Sequence, residues 1–135
     1  MTVARSRIAE SEKITINLGP VDLGQIDLLV REGYYGNRTD LIRNAIRREL
    51  ERHEAAVKRI VDRQAIDLGL MRYGRAELER VRERGETLRI QVLGLLIIGE
   101  DVDPDLALAT IASIQVLGAL QAPAAVKAAL NDRIA

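Results

Sequence analysis

Apolar and polar residues alternate along the six residues KITINL near the start of the chain. The apolar positions are Ile14, Ile16 and Leu18, and the polar positions are Lys13, Thr15 and Asn17. Alternation with a period of two, in a segment rich in β-branched residues, is typical of a half-buried β-strand. The pattern therefore predicts a strand with one apolar face and one polar face.

Two helices are predicted after this strand. Gly19 and Pro20 end the strand, because proline cannot donate a hydrogen bond to a β-ladder. The segment from Val21 to Glu32 has apolar residues at helical spacing, and the glycine that follows it suits a helix C-cap. Asn37 is a good N-cap with an acidic residue three positions later, so a second helix is expected to begin there. Its apolar face would comprise Leu41, Ile42, Ala45, Ile46 and Leu50.

The predicted strand needs a partner that its own chain does not provide nearby. A single strand with one apolar face is not stable in water, and no other strand is predicted before residue 86. A second copy of the chain is the economical solution. Two strands would pair antiparallel, with their apolar faces packed on four helices and their polar faces outward. The pattern thus predicts a homodimer.

The order of these elements resembles a known family. Residues Glu12–Arg52, with KITINL, the break at Gly33 and the segment YYGNRTDLIRNAI, are similar to the CopG/Arc/MetJ-type ribbon-helix-helix DNA-binding proteins. The glycine and proline after the strand depart from the polar loop expected there.

The resemblance implies two sets of DNA contacts. The outward residues of the strand would enter the major groove, where a cation, a hydroxyl and an amide can hydrogen-bond to base edges. The residues expected to contact bases are Lys13, Thr15 and Asn17. The start of the second helix would bind a phosphate through free amides and the helix dipole. The residues expected to contact phosphates are Asn37, Arg38 and Thr39, with Arg5 and Arg7 in the preceding arm.

Composition narrows the remaining possibilities. The chain has no cysteine and one histidine, so disulfides, a thiolate nucleophile and a transition-metal sensor are not expected. No nucleophile–base pair or phosphate-binding loop is visible, so neither an enzyme nor a cofactor is predicted. The start of the chain is polar, and its longest apolar run is far shorter than the ~20 residues of a membrane span. A cytoplasmic protein is expected.

The second half of the chain contains an internal repeat. The segment IQVLGLL at residues 90–96 recurs 24 residues later as IQVLGAL. Each copy is predicted to form a strand followed by a short helix, and the C-terminal half is weakly similar to short solenoid repeats. Two such units cannot bury their apolar faces alone, so the module is expected to associate with another copy or with a partner.

These inferences combine into an α+β fold with four segments. They are a flexible basic arm (1–12), a ribbon-helix-helix DNA-binding domain (13–53), a helical linker (54–85) and a two-unit βα-repeat module for oligomerisation or partner binding (86–135). The predicted function is a sequence-specific transcriptional regulator that represses by occupying double-stranded DNA. Two alternatives stay open. One is an antitoxin whose C-terminal extension binds a protein partner, and the other is a structural or filament-forming protein.

Overall fold

The computed structural model describes residues 11–135, which fall into two compact units. The first unit comprises residues 11–60, and the second begins at residue 61. Arg5, Arg7 and most of the predicted basic arm lie outside the described residues. Helices and strands are both present, as the predicted α+β class requires.

The first unit consists of helices behind an irregular segment. The helices that begin in it are α1 (Pro20–Arg31), α2 (Arg38–Arg52) and α3 (Glu54–Gln64), whose last residues lie beyond the boundary at residue 60. Pro20 opens α1 at a position where its missing N–H group costs nothing. Residues 12–19, predicted to include a strand, have no regular secondary structure in the single chain. A strand is defined by its hydrogen-bonded neighbour, so pairing of this segment with a second copy stays a prediction.

No side chain of α1, α2 or α3 is buried in the single chain. In the segment before α1, Ile14 is 74% exposed and Ile16 is 58% exposed. Ordering a few residues costs several kcal/mol of free energy, because conformational entropy is lost. Burial of apolar side chains normally compensates for this cost. The first unit therefore lacks a core of its own and needs an additional surface to cover its apolar side chains.

The second unit is a parallel three-stranded sheet with helical connections. Its elements are β1 (Asp67–Tyr73), α4 (Arg75–Glu83), β2 (Leu88–Ile98), α5 (Pro104–Thr110), β3 (Ile111–Gln121), α6 (Ala124–Ala129) and a short 3₁₀ helix (Asn131–Arg133). The strands lie in the order β1-β2-β3, and both pairs are parallel. The sheet thus contains three strand–helix units.

This architecture differs from the sequence prediction in one respect. Residues 67–83 were expected to belong to a helical linker over 54–85, but they form β1 and α4, the first unit of the repeat. The repeat therefore has three units and begins before residue 86. The segment DLGLMRY shares only Leu-Gly-Leu with the centre of β2, because this edge strand carries charged residues where β2 carries apolar ones.

The core of the second unit lies between one face of the sheet and its helices. Ile90, Val92 and Leu96 from β2 are buried against Leu78 of α4 and Leu106 of α5. The register aligns Ile90 with Ile114 and Val92 with Val116, so the repeated residues form one apolar layer, as their equivalent positions predict.

The start and end of α5 are fixed by local hydrogen bonds. The Asp103 carboxylate accepts a hydrogen bond of 2.8 Å from the backbone N–H of Leu106. That bond is the main reason why the pKa of Asp103 lies below its usual value, and nearby Arg75 lowers it further. The buried hydroxyl of Thr110 donates to the carbonyl of Leu106 at 2.7 Å. This helix of about two turns thereby has a hydrogen-bonded cap at its start and a buried hydroxyl hydrogen-bonded at its end.

Three glycines stack across the sheet. Gly69 aligns with Gly94, and Gly94 aligns with Gly118. All three have positive φ angles, of 115°, 137° and 130° in chain order. A Cβ atom on Gly94 would overlap the carbonyl oxygen of Gly69, and one on Gly118 would overlap that of Gly94. The glycines of β2 and β3 therefore allow neighbouring backbones to approach closely.

The glycine stack gives a stability prediction. We expect Gly94→Ala to lower the free energy of unfolding by about 3 kcal/mol or more, because backbone strain of about 1–3 kcal/mol adds to overlap with a backbone oxygen. Gly69→Ala is the matched control, since its φ is also positive but nothing lies within 4 Å of the added Cβ. Chemical denaturation of both variants measures the difference. Equal destabilisation would show that the close approach contributes nothing.

Candidate nucleic-acid interface

The residues predicted to contact bases lie in the exposed segment before α1. The side chains of Lys13, Thr15 and Asn17 are exposed, and none makes a hydrogen bond or ion pair within residues 11–135. In this segment, polar and apolar side chains alternate and both sets are exposed in the single chain. The polar groups are therefore available to a ligand, while the apolar row is available to a protein surface.

The start of α2 is capped by a small hydrogen-bond network. The side-chain oxygen of Asn37 accepts from the backbone N–H of Asp40 at 2.8 Å. The Asp40 carboxylate accepts from the backbone N–H of Gly36 at 2.9 Å, and the Asn44 side chain donates to the carbonyl of Asp40 at 2.8 Å. Asn37 was predicted to contact phosphate, and the structure shows that its side-chain oxygen already caps the helix.

The backbone at this helix start retains anion-binding capacity. The first amides of a helix have no acceptor within the helix, and the cap uses only the amide of Asp40. The amides of Arg38 and Thr39 precede it in the first turn. Because the helix dipole also favours negative charge at this end, these two amides fit a phosphate group.

Arg38 is held by an acidic residue of the preceding helix. Its Nε lies 2.8 Å from Oδ1 of Asp27, and its Nη2 lies 2.9 Å from Oδ2. The hydrogen bond from Arg38 holds the pKa of Asp27 below its usual value, and Asp27 raises the pKa of Arg38. Both side chains are about half exposed, so the pair links α1 to α2 without leaving solvent.

The bidentate pair changes the expected role of Arg38. Two of the guanidinium nitrogens face Asp27, which leaves both hydrogens of Nη1 and one of Nη2 for another acceptor. No local pattern in the sequence points to Asp27, because the pair joins two helices at a separation of 11 residues. A predicted phosphate contact is thus also a link between the helices.

Further along α2, several arginines have no acidic partner. Arg43, Arg47 and Arg48 make no ion pair with any residue that the structure describes, whereas Arg52 pairs with Glu49 at 2.9 Å. Unpaired cations raise the local positive potential, which attracts a phosphate backbone. These three arginines of α2 are therefore not held by a carboxylate of the described residues.

Residues 11–135 contain neither a cluster of candidate metal ligands nor a membrane-spanning helix. His53 lies 3.2 Å from Glu49 on the surface of α2, and no group of three or more candidate metal ligands occurs among these residues. In the same range, no helix combines the length and apolar character needed to cross a membrane.

Comparison with known proteins identifies the family. The model of the Ribbon-Helix-Helix transcriptional regulator family matches residues 9–127. No curated protein and no solved structure matches the chain. The matched range includes the exposed alternating segment, both helices that follow it and most of the βα repeat. The chain therefore belongs to the ribbon-helix-helix transcriptional regulator family.

Proposed function

We propose that this protein is a sequence-specific DNA-binding repressor that acts as a homodimer in the cytoplasm. The observation that carries the proposal is the exposed segment KITINL, in which a polar row and an apolar row are both without partners among the described residues. A second copy would cover the apolar row and supply the hydrogen bonds of a ladder. The polar row would then face the DNA.

The proposed dimer reads DNA with a two-stranded ribbon. Lys13, Thr15 and Asn17 of both copies would contact base edges in the major groove, and each good pairing contributes about 1–3 kcal/mol to discrimination. The amides of Arg38 and Thr39 would bind a backbone phosphate and fix the position of the ribbon. Asn37 would contribute by shaping this helix start, while Arg5 and Arg7 would contact the backbone from the arm.

The βα repeat would join copies of the protein. Its edge strands expose large apolar side chains, including Leu68 and Leu70 of β1 and Leu117 of β3. Edge-to-edge pairing of β1, which has a strand on one side only, with β1 of a copy from another dimer would give a higher homo-oligomer and cooperative repression. The same exposed leucines also fit a different protein partner, so an antitoxin is the second candidate function. A filament-forming protein would likewise use them for self-association.

Base reading by the strand is tested with the double variant Thr15→Ala and Asn17→Ala. The dimer should stay folded, because both side chains point into solvent. Binding to an operator selected from a random DNA library should weaken by about 10-fold or more, since about 1–3 kcal/mol is lost per contact. Binding to unrelated DNA should change little. Titrations at one salt concentration measure both, and an equal loss on both DNAs would contradict base reading.

The phosphate contact of Arg38 is tested by the salt dependence of binding. Arg38→Ala should weaken binding to all sequences alike and reduce the slope of log K against log salt by about two units, one for each copy in the dimer. Asp27→Asn is the matched control, because it removes the acidic partner but keeps the cation, so the slope should not decrease. An unchanged slope in Arg38→Ala would mean that this arginine only links the helices.

The role of the repeat is tested by truncation after Arg63. The cut falls near the end of α3 and before β1, so it removes the whole sheet. We expect a dimer that binds one operator normally but has lost cooperativity on two adjacent operators, because linked sites raise the local concentration for the second binding event. Light scattering and binding curves on one-site and two-site DNA measure this. Retained size and cooperativity would favour the antitoxin function.

A further inference from the structure

The sheet of the second unit has one face that is covered and one that is not. Val92, Leu96 and Ile98 of β2 point to the helices and are buried in the core. Alternation along the strands sends the residues between them to the opposite face. We call the apolar positions there the outer leucine face. Its residues are Leu68, Leu70, Leu93, Leu95, Leu117 and Ala119. Ile97 lies on the same side but is only 8% exposed, so the face is open over these six residues and closed at that end.

The outer leucine face is unusual for a parallel sheet. None of its six residues belongs to the core cluster, and Leu68 is 68% exposed and Leu117 is 51% exposed in the single chain. Parallel sheets are normally covered on both faces, and contiguous exposed apolar patches mark interaction sites. This face is therefore expected to contact another surface.

A polar border surrounds the patch. The register places Gln91 beside Gln115 on one side of the leucines, and Arg72 and Gln121 flank Ile97 on the other. The side-chain oxygen of Gln91 is buried but accepts no hydrogen bond from any group that the structure describes. An apolar centre with a polar rim is the usual anatomy of a protein interface, and the Gln91 oxygen needs a donor from outside.

The size of the patch indicates what covers it. The outer leucine face spans three strands about 4.8 Å apart, with two outward residues on each strand. Its area is therefore on the order of 200 Å². A stable interface between free proteins buries about 800 Å² on each partner, so this patch alone would not hold an independent protein. A copy already tethered through the ribbon needs far less area, because tethering raises its effective concentration to the millimolar range.

From these observations we propose that the outer leucine face packs against the same face of a second copy of this chain. The contact rests on the proposed ribbon dimer, which supplies the tether. Two such sheets stack about 10 Å apart, so that the leucines of both copies form one shared apolar layer. The amide side chains of the border then meet their counterparts and can donate to the Gln91 oxygen.

Thiol reactivity tests this contact in the full-length protein. The chain has no cysteine, so Leu117→Cys places a single reporter thiol on the outer leucine face. Leu108→Cys is the matched control, because Leu108 lies on α5 and is 38% exposed in the single chain. We expect a maleimide to react with the thiol at 117 about tenfold more slowly than with the thiol at 108, as for a contact formed about nine-tenths of the time.

Two further substitutions identify the cause of the protection. Leu93→Lys places a charge in the centre of the face, and Ile16→Lys removes the tether by placing a charge in the ribbon. Each should raise the reaction rate at 117 to the rate at 108 and leave the rate at 108 unchanged. Rapid reaction at 117 in the otherwise unaltered chain would overturn the proposal. Protection that survives Ile16→Lys would also overturn it, because the cover would then come from the same chain.

The thiol measurement uses no DNA and is therefore independent of operator reading. Suppose that Leu117→Cys binds its operator normally but its thiol reacts rapidly with the maleimide. The contact between the sheets would then be refuted, and the proposed repressor function would stand. The opposite result is also informative. If the thiol at 117 is protected in a way that depends on the ribbon, the contact between the sheets is supported. If the same protein binds random and selected DNA equally, sequence-specific DNA reading is refuted.

Discussion

An isolated strand cannot satisfy its own backbone, and this constraint governs the N-terminal unit. The segment KITINL has the alternation of a strand, but among the described residues no other segment pairs with it. The helices behind it bury no side chain in the single chain. A second copy would resolve both problems. It would supply a strand that pairs with KITINL and an apolar surface that covers the helices. Dimer formation would then cover the apolar row and leave the polar row as the only exposed face of the ribbon.

The repeat module solves the backbone problem differently. Each strand receives its hydrogen bonds from a neighbour within the chain, and the glycines of β2 and β3 allow neighbouring backbones to approach closely. The resulting sheet has three strands, and its helices pack on one face. The hydrogen-bonding groups of the strands are thus paired within the module, while apolar side chains on the opposite face stay exposed in the single chain. This exposed face follows from the small size of the sheet, independent of what the N-terminal unit binds.

Features that depend on adjacent residues or on a repeated segment could be predicted from the sequence. Features that depend on contacts between distant residues could not. Asn37 was recognised as an N-cap because capping depends on a few adjacent residues. The strands β2 and β3 were recognised because they repeat each other almost exactly in sequence, whereas β1 shares little beyond Leu68, Gly69 and Leu70. The pair between Arg38 and Asp27 was missed because it depends on how two helices cross, which no periodicity encodes.

The arrangement of ion pairs separates the cations that are held by carboxylates from those that are free to meet a phosphate. Twenty lysines and arginines are offset by twenty acidic residues. On α4, Arg75 lies near Glu79 and Asp103, and Arg80 lies near Glu77. On α2, Arg43 and Arg47 make no ion pair within the described residues. The free arginines of α2 share a helix with the exposed amides of its first turn, where the helix dipole also favours negative charge. A phosphate backbone that contacts this helix would therefore meet both features together.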